Sequence, residues 1–194
     1  MKLFKKIFNF SIKETKEIQS QEVNLSLDDL FVHNFIEKGG KFLYCLKKDE
    51  VIANLKSIIS ENNWSEILIL DKNLSSFFKK EDVKIIESFN SKTPILTTCE
   101  HLIADNGDIL FSSNQLKSKK FSELSENFIV YATTSQLVKD TSQGLTGIKT
   151  NNKENLPTNI SAIKNYNLNK SEDNFLNYGN SNSKNLYLLL LEDL

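Results

Sequence analysis

Apolar residues recur along the chain in two patterns, the spacing of three and four residues typical of helices and the short runs typical of strands. The predicted helices are residues 1–18, 26–38, 48–60, 73–78 and one that starts at Thr134-Ser135; the predicted strands are residues 41–46, 67–70, 83–86, 127–132 and 186–191. This alternation is typical of an α/β domain. We therefore predict a single α/β domain with a mixed, mostly parallel sheet flanked by helices, plus N-terminal helices.

The last apolar run, LYLLLL at 186–191, is continuous and ends at two acidic residues. A strand that is apolar on both faces fits an interior position in a parallel sheet. Between 151 and 185 the chain contains twelve asparagines and few apolar anchors, which predicts a long connection with short elements. The predicted organisation is an N-terminal amphipathic helix and linker at 1–25 and one α/β domain at 26–194.

The N-terminal helix would carry an apolar stripe flanked by lysines. Leu3, Phe4, Ile7 and Phe8 share one face in residues 1–18. Such a helix packs on protein or lies on an anionic membrane surface, and we favour packing on protein. The chain contains no apolar run of spanning length and no secretion signal, so the expected location is the cytoplasm.

The segment from Pro94 to Phe111 holds the main cluster of reactive side chains. Asn106-Gly107 between apolar runs predicts a hairpin, because both residues accept positive φ. Glu100 is a candidate general base or ligand carboxylate, and strand alternation points it away from His101. Asp105 is either a turn residue that bonds its own backbone or part of the site. Neighbouring Cys99 would need a base and a lowered pKa to act as a nucleophile.

Composition excludes several kinds of site. All 24 basic residues are lysines, so no arginine is available to clamp a phosphate or carboxylate. The net charge of −1 does not favour nucleic acid as a partner. The two cysteines and two histidines lack metal-ligand spacing, so we predict no metal and no cofactor. His33 is predicted to lie in the core or at its boundary.

The stretch CEHLIADNGDILF resembles the LUD (lactate-utilisation) domain family, whose motif contains Ala-Asp-x-Gly before an apolar strand; Ala104, Asp105 and Gly107 match it. The resemblance covers residues 30–194. It implies a bacterial protein with a fold similar to the sugar-phosphate isomerase and CoA-transferase superfamily. It also implies an accessory or regulatory component of lactate utilisation that acts with iron–sulfur partner proteins. The family's Gly-Pro loops are replaced at 158–164 and 179–184.

The alternative function is an enzyme of the CoA-transferase and formyltetrahydrofolate cyclo-ligase-like superfamily, acting on a small anionic substrate. Under either hypothesis, loops at the carboxyl ends of parallel strands would bind the ligand. The candidate ligand-binding residues are Glu100, Asp105, Gly107, Ser161, Gly179, Ser183 and Lys184. We expect Lys184 either to hold an anion or only to solvate the start of the last strand. In both cases Lys184→Ala should leave the melting temperature nearly unchanged.

Overall fold

The computed structural model describes residues 25–78, 83–88, 90–168 and 182–193. Its helices are α1 (Leu27–Glu37), α2 (Lys48–Glu61) and α3 (Thr141–Asn151). Its strands are β1 (Lys41–Cys45), β2 (Glu66–Ile69), β3 (Lys84–Ile86), β4 (Ile95–Thr98), β5 (His101–Ile103), β6 (Asp108–Ser112), β7 (Asn127–Thr133), β8 (Leu137–Val138), β9 (Ile160–Ile163) and β10 (Asn185–Leu191). Short 3-10 turns occupy Lys72–Phe77, Phe121–Glu123 and Thr134–Gln136.

The described strands form two sheets. The larger has six strands in the order β1-β10-β7-β4-β2-β3, and all its pairs are parallel. The smaller has the order β8-β5-β6-β9, with antiparallel pairs on both sides of β6. The predicted α/β class with a mostly parallel sheet is confirmed. The last strand, β10, lies between β1 and β7, which confirms its interior position.

Two apolar cores cover the two faces of the parallel sheet. On one face α2 packs with alternate strand residues such as Leu96, Ile129 and Leu189. On the other face α1 and the smaller sheet pack with residues such as Phe128 and Leu188. Both faces of β10 are covered by these cores, which explains why the run at 186–191 is apolar throughout.

Helix α1 begins and ends where its sequence predicts. The Ser26 hydroxyl accepts a hydrogen bond from the Asp29 amide at 3.4 Å, as an N-cap does. Gly39 follows the helix with φ of +89°, and its amide donates to the Ile36 carbonyl. His33, by contrast, lies on the exposed face beside Glu37, so its predicted core or boundary position is wrong.

Two predictions in the second half of the chain are wrong. The hairpin predicted around Asn106-Gly107 is confirmed and consists of β5 and β6, but the inclusion of residues 95–98 in it is wrong, because these residues form β4 of the parallel sheet. The predicted helix through Leu137 and Val138 is a 3-10 turn followed by β8, and the helix begins later, at Thr141. Strand pairing between β5 and β8 overrides the local preference of this segment.

The predicted helix 1–18 lies outside the described residues. Among the described residues, no helix has the length and apolar character needed to cross a membrane.

Candidate functional site

A polar cleft lies at the carboxyl ends of β2 and β4. After β2 the chain continues to β3 on one side. After β4 it passes through β5 and β6 of the smaller sheet and returns to the parallel sheet at β7 on the other side, so the two connections diverge here. Divergence of this kind opens the crevice in which open α/β sheets bind ligands. The cleft has a volume of about 320 Å³. Its polar lining includes Asp71, Lys72, Thr98, Glu100, Asn114, Gln115 and Lys117.

Hydrogen bonds between its own residues fix the floor of the cleft. The Asp71 carboxylate accepts from the Asn73 amide at 3.0 Å and from the Thr98 hydroxyl at 3.3 Å. Gln115 accepts from the Ser112 amide at 3.2 Å and donates to the Thr98 hydroxyl at 3.5 Å. Asp71 and Gln115 are therefore occupied in holding the ends of β2, β4 and β6 together.

The backbone of Glu100 is held on both sides. Its amide donates to the Leu110 carbonyl at 2.9 Å, and its carbonyl accepts from Gln136 Nε2 at 3.3 Å. Gln136 Nε2 also donates to the Cys99 carbonyl, and Gln136 Oε1 accepts from the Thr133 amide at 2.8 Å. Gln136 thus ties the end of β7 to the crossing from β4 to β5. The role of Gln136 was not predicted from the sequence.

Three charged side chains of the cleft are available to a ligand. In the part of the chain that the structure describes, the Glu100 carboxylate and the Lys72 and Lys117 ammonium groups make no hydrogen bond or ion pair. Two cations beside one carboxylate can bind an anionic group while the carboxylate accepts a hydrogen bond or a proton from it.

Lys117 stands in a strained segment of backbone. Its φ is +51° and that of Ser118 is +59°, the left-handed region, which costs a non-glycine residue about 1–2 kcal/mol. The turn is maintained by bonds from the Ser118 amide to the Ser113 carbonyl and from the Lys119 amide to the Leu116 carbonyl. Strain of this kind is concentrated at functional sites, which is consistent with a ligand role for this loop.

The predicted residues Asp105 and Gly107 belong to a different part of the molecule. They lie in the β5–β6 turn, in which Gly107 has positive φ and Asn106 does not. Asn106 rather than Asp105 makes the side-chain bond to the turn backbone, accepting from the Asp108 amide at 3.2 Å. The Asp105 side chain is exposed. Of the predicted residues that the structure describes, only Glu100 lines the cleft.

The remaining predicted residues that the structure describes also lie elsewhere. Ser161 is in β9, where its hydroxyl accepts from Asn159 at 3.1 Å. Ser183 and Lys184 precede β10, so they lie at the amino ends of the parallel strands rather than the carboxyl ends. Gly179 lies outside the described residues.

The Lys184 ammonium is buried, so the expectation that it lies in solvent is wrong. It donates to the Phe121 carbonyl at 2.9 Å and to the Leu124 carbonyl at 3.2 Å. The side chain is 5% exposed. Burial lowers the pKa of this ammonium, and the Glu126 charge partly opposes that effect. Its contacts indicate a structural role.

The polar neighbours of Glu100 do not supply a nucleophile or a metal site. Cys99 is buried, and burial together with the Glu100 charge raises the pKa of its thiol far above the usual range. His101 lies against α3 at Gly147, and its Nδ1 is 3.2 Å from the Gln136 carbonyl. Among the described residues, no group of three or more His, Cys, Asp and Glu side chains could hold a metal ion.

A second polar cluster, at the carboxyl ends of β7 and β10, is occupied by the chain itself. The Asp193 carboxylate accepts from the Ser135 hydroxyl at 2.6 Å, the Thr134 hydroxyl at 2.7 Å and the Ser135 amide at 2.9 Å. The Ser135 and Thr134 bonds hold the pKa of Asp193 well below its usual range.

We expect Asp193→Asn to lower the melting temperature slightly at pH 7. A carboxyl whose pKa is lower in the folded state stabilises the fold above its unfolded pKa of 3.8, and this contribution is lost as the pH falls below that value. Thermal melts of both proteins from pH 7 down to pH 3 check this. A difference that stays constant over this range would contradict the assignment to the ionised carboxylate.

Comparison with known proteins supports the fold. The family model described as LUD domain matches residues 29–191. No curated protein matches the chain. The crystal structure of a DUF162 family protein from Deinococcus radiodurans at 1.70 Å resolution is similar with a TM-score of 0.59 and 12% identity, covering 87% of this chain and 99% of that chain.

Proposed function

The chain belongs to the LUD domain family, and we propose that it binds a small anionic ligand in the cleft between β2 and β4. The observation that carries this proposal is the placement of Glu100, Lys72 and Lys117 around a cleft at the point where the strand connections diverge. A carboxylate or phosphate would bind between the two ammonium groups. A hydroxyl or other donor on the same molecule would bond to Glu100.

We expect Lys117→Gln and Lys72→Gln each to weaken this binding about tenfold. A charge-assisted hydrogen bond contributes about 1.5–3 kcal/mol, and the lower figure applies to exposed lysines. Calorimetric titrations with lactate, coenzyme A and inorganic phosphate at low salt measure the change. Lys164→Gln removes an exposed lysine elsewhere and should have no effect. No binding of any of the three ligands, or equal binding by all variants, would contradict the proposal.

We further propose that the protein acts in the cytoplasm as an accessory or regulatory component of lactate utilisation, together with iron–sulfur partner proteins. In support of this, both cysteines of the chain, Cys45 and Cys99, are buried, and iron–sulfur clusters are usually held by four thiolates. A cluster would therefore belong to the partner. Affinity purification from native cells, with iron and sulfide analysis of the captured proteins, tests this role.

The alternative function is catalysis on the same ligand by an enzyme related to CoA transferases. The half-buried position of Glu100 in a cleft that two lysines also line favours it, because such a carboxylate can act as a general base or nucleophile. Turnover of an acyl-CoA or folate-type substrate that is lost in Glu100→Gln while binding persists would favour the enzyme. Binding without turnover leaves the accessory role.

A further inference from the structure

Four exposed apolar residues fall in the two segments where α1 begins and β1 ends. They are Leu25 (45% exposed), Leu27 (39%), Tyr44 (43%) and Leu46 (60%), here called the β1 patch. Helix α1 contacts β1, and the charge of Asp28, in the first turn of α1, contributes to the raised pKa of the Tyr44 hydroxyl. The start of the helix therefore lies beside the end of the strand. Since β1 is also an edge strand of the parallel sheet, its outer side pairs with no other described strand.

Three carboxylates, those of Asp28, Glu50 and Glu192, lie near the β1 patch. The Glu50 carboxylate accepts from the Leu46 amide at 2.8 Å. Glu192 follows β10. Partial burial of the ring raises the pKa of Tyr44, and Glu192 and then the charge of Asp28 add to this effect. An apolar surface with an acidic rim is complementary to a segment that carries apolar side chains flanked by cations.

The geometry points to residues 1–18 of the same chain as the occupant of the β1 patch. Their sequence supplies Leu3, Phe4, Ile7 and Phe8, with five lysines against two glutamates. The patch itself includes Leu25, the first described residue, so the segment is joined to its binding surface by residues 19–24 alone. Six residues reach at most about 20 Å. A short tether keeps the local concentration of the segment high, which favours this intramolecular contact over a partner in solution.

Carbodiimide coupling of the full-length protein tests this contact, because it joins a lysine to a carboxylate that touches it. We expect intrachain links from lysines of residues 1–18 to Asp28, Glu50 or Glu192, read by mass spectrometry. The lysines of 1–18 should also be cleaved slowly by trypsin. Leu46→Lys places a cation in the patch. It should raise the cleavage rate at the lysines of residues 1–18 about tenfold, because loss of roughly one leucine contact weakens docking by about that factor.

Leu156→Lys is the matched control, because Leu156 is 56% exposed and lies outside the β1 patch. It should leave both readouts unchanged, and thermal melts confirm that both variants fold. Equal cleavage of wild type and Leu46→Lys would overturn the proposal. If the yield of the cross-links rises with protein concentration, the segment docks on a second copy of the chain, and the intrachain proposal is overturned. If the lysines of residues 1–18 resist trypsin only when vesicles of phosphatidylcholine and phosphatidylserine are present, and Leu46→Lys does not change this, the segment binds membrane and the proposal is overturned.

Discussion

Replacement of Gly107 by alanine is expected to lower the free energy of unfolding by about 3 kcal/mol, combining left-handed backbone strain with steric overpacking. Gly107 has φ of +67°. A Cβ atom there would lie 2.5 Å from the Phe35 amide nitrogen and 2.7 Å from the Asn34 carbonyl carbon. Both are backbone atoms of α1, so relief of the clash requires movement of the helix. Urea denaturation of wild type and variant measures the loss.

Gly39→Ala is the matched control for this prediction. Gly39 also has positive φ, +89°, but the nearest atom to its added Cβ would be the Asn167 Cβ at 3.2 Å. This variant retains the conformational penalty of about 1–2 kcal/mol without the backbone clash. Equal losses in the two variants would show that the approach of α1 does not contribute.

The position of Gly107 gives the Ala-Asp-x-Gly motif a structural explanation. Ala104 is fully buried, and its carbonyl accepts from Asn34 of α1 at 2.8 Å. The Gly107 carbonyl accepts from the buried Tyr166 hydroxyl at 2.7 Å. On the next residue, Asp108 pairs with Lys38 at 2.8 Å. The turn therefore fixes α1 to the smaller sheet, and neither Ala104 nor Gly107 is free to contact a ligand.

Sequence patterns predicted the elements that are stabilised by burial along their own length. The run at 186–191 is apolar at every position because β10 is covered on both faces, and α1 carries its own N-cap and terminal glycines. The pairing of strands was not predictable in the same way. Ile95–Thr98 has the composition of a hairpin strand as much as of a parallel strand, and its partners β2 and β7 are distant in sequence.

The residues of the cleft also divide into those that local sequence can identify and those that only the tertiary fold brings to the cleft. Glu100 was identified because it lies close to His101 and Asp105 in the sequence, in the main cluster of acid and imidazole groups. Asp71 and Lys72 also follow a buried strand, β2, so the rule that ligands bind beyond the carboxyl ends of strands could have found them. Lys117 lies in a polar stretch without a pattern, and only the tertiary fold brings it to the cleft. Gln136 was missed because its partners, Cys99 and Glu100, are distant in sequence.

Replacement of Lys184 by alanine is expected to lower the free energy of unfolding by about 3 kcal/mol, since it removes charge-assisted bonds and leaves a cavity. This reverses the sequence-based expectation of an unchanged melting temperature. The ammonium donates to two carbonyls of the turn before β7 and lies 5.6 Å from the centre of the Phe128 ring. Without it, the Leu124 carbonyl loses its hydrogen bond to the ammonium. Lys164→Ala, at an exposed position, should change stability by less than about 0.5 kcal/mol.

The pH dependence of the stability of wild type and Lys184→Ala tests whether Lys184 is buried as a cation. Burial lowers its pKa below the unfolded value of 10.5, so between the folded and unfolded pKa values the unfolded chain binds more protons. The stability of wild type relative to Lys184→Ala should therefore rise as the pH increases through that interval, while the neutral amine still donates to the two carbonyls. Denaturation curves between pH 7 and pH 10.5 measure the difference. A difference that falls with increasing pH would mean that an anionic partner, rather than the carbonyls of Phe121 and Leu124, stabilises the charged form.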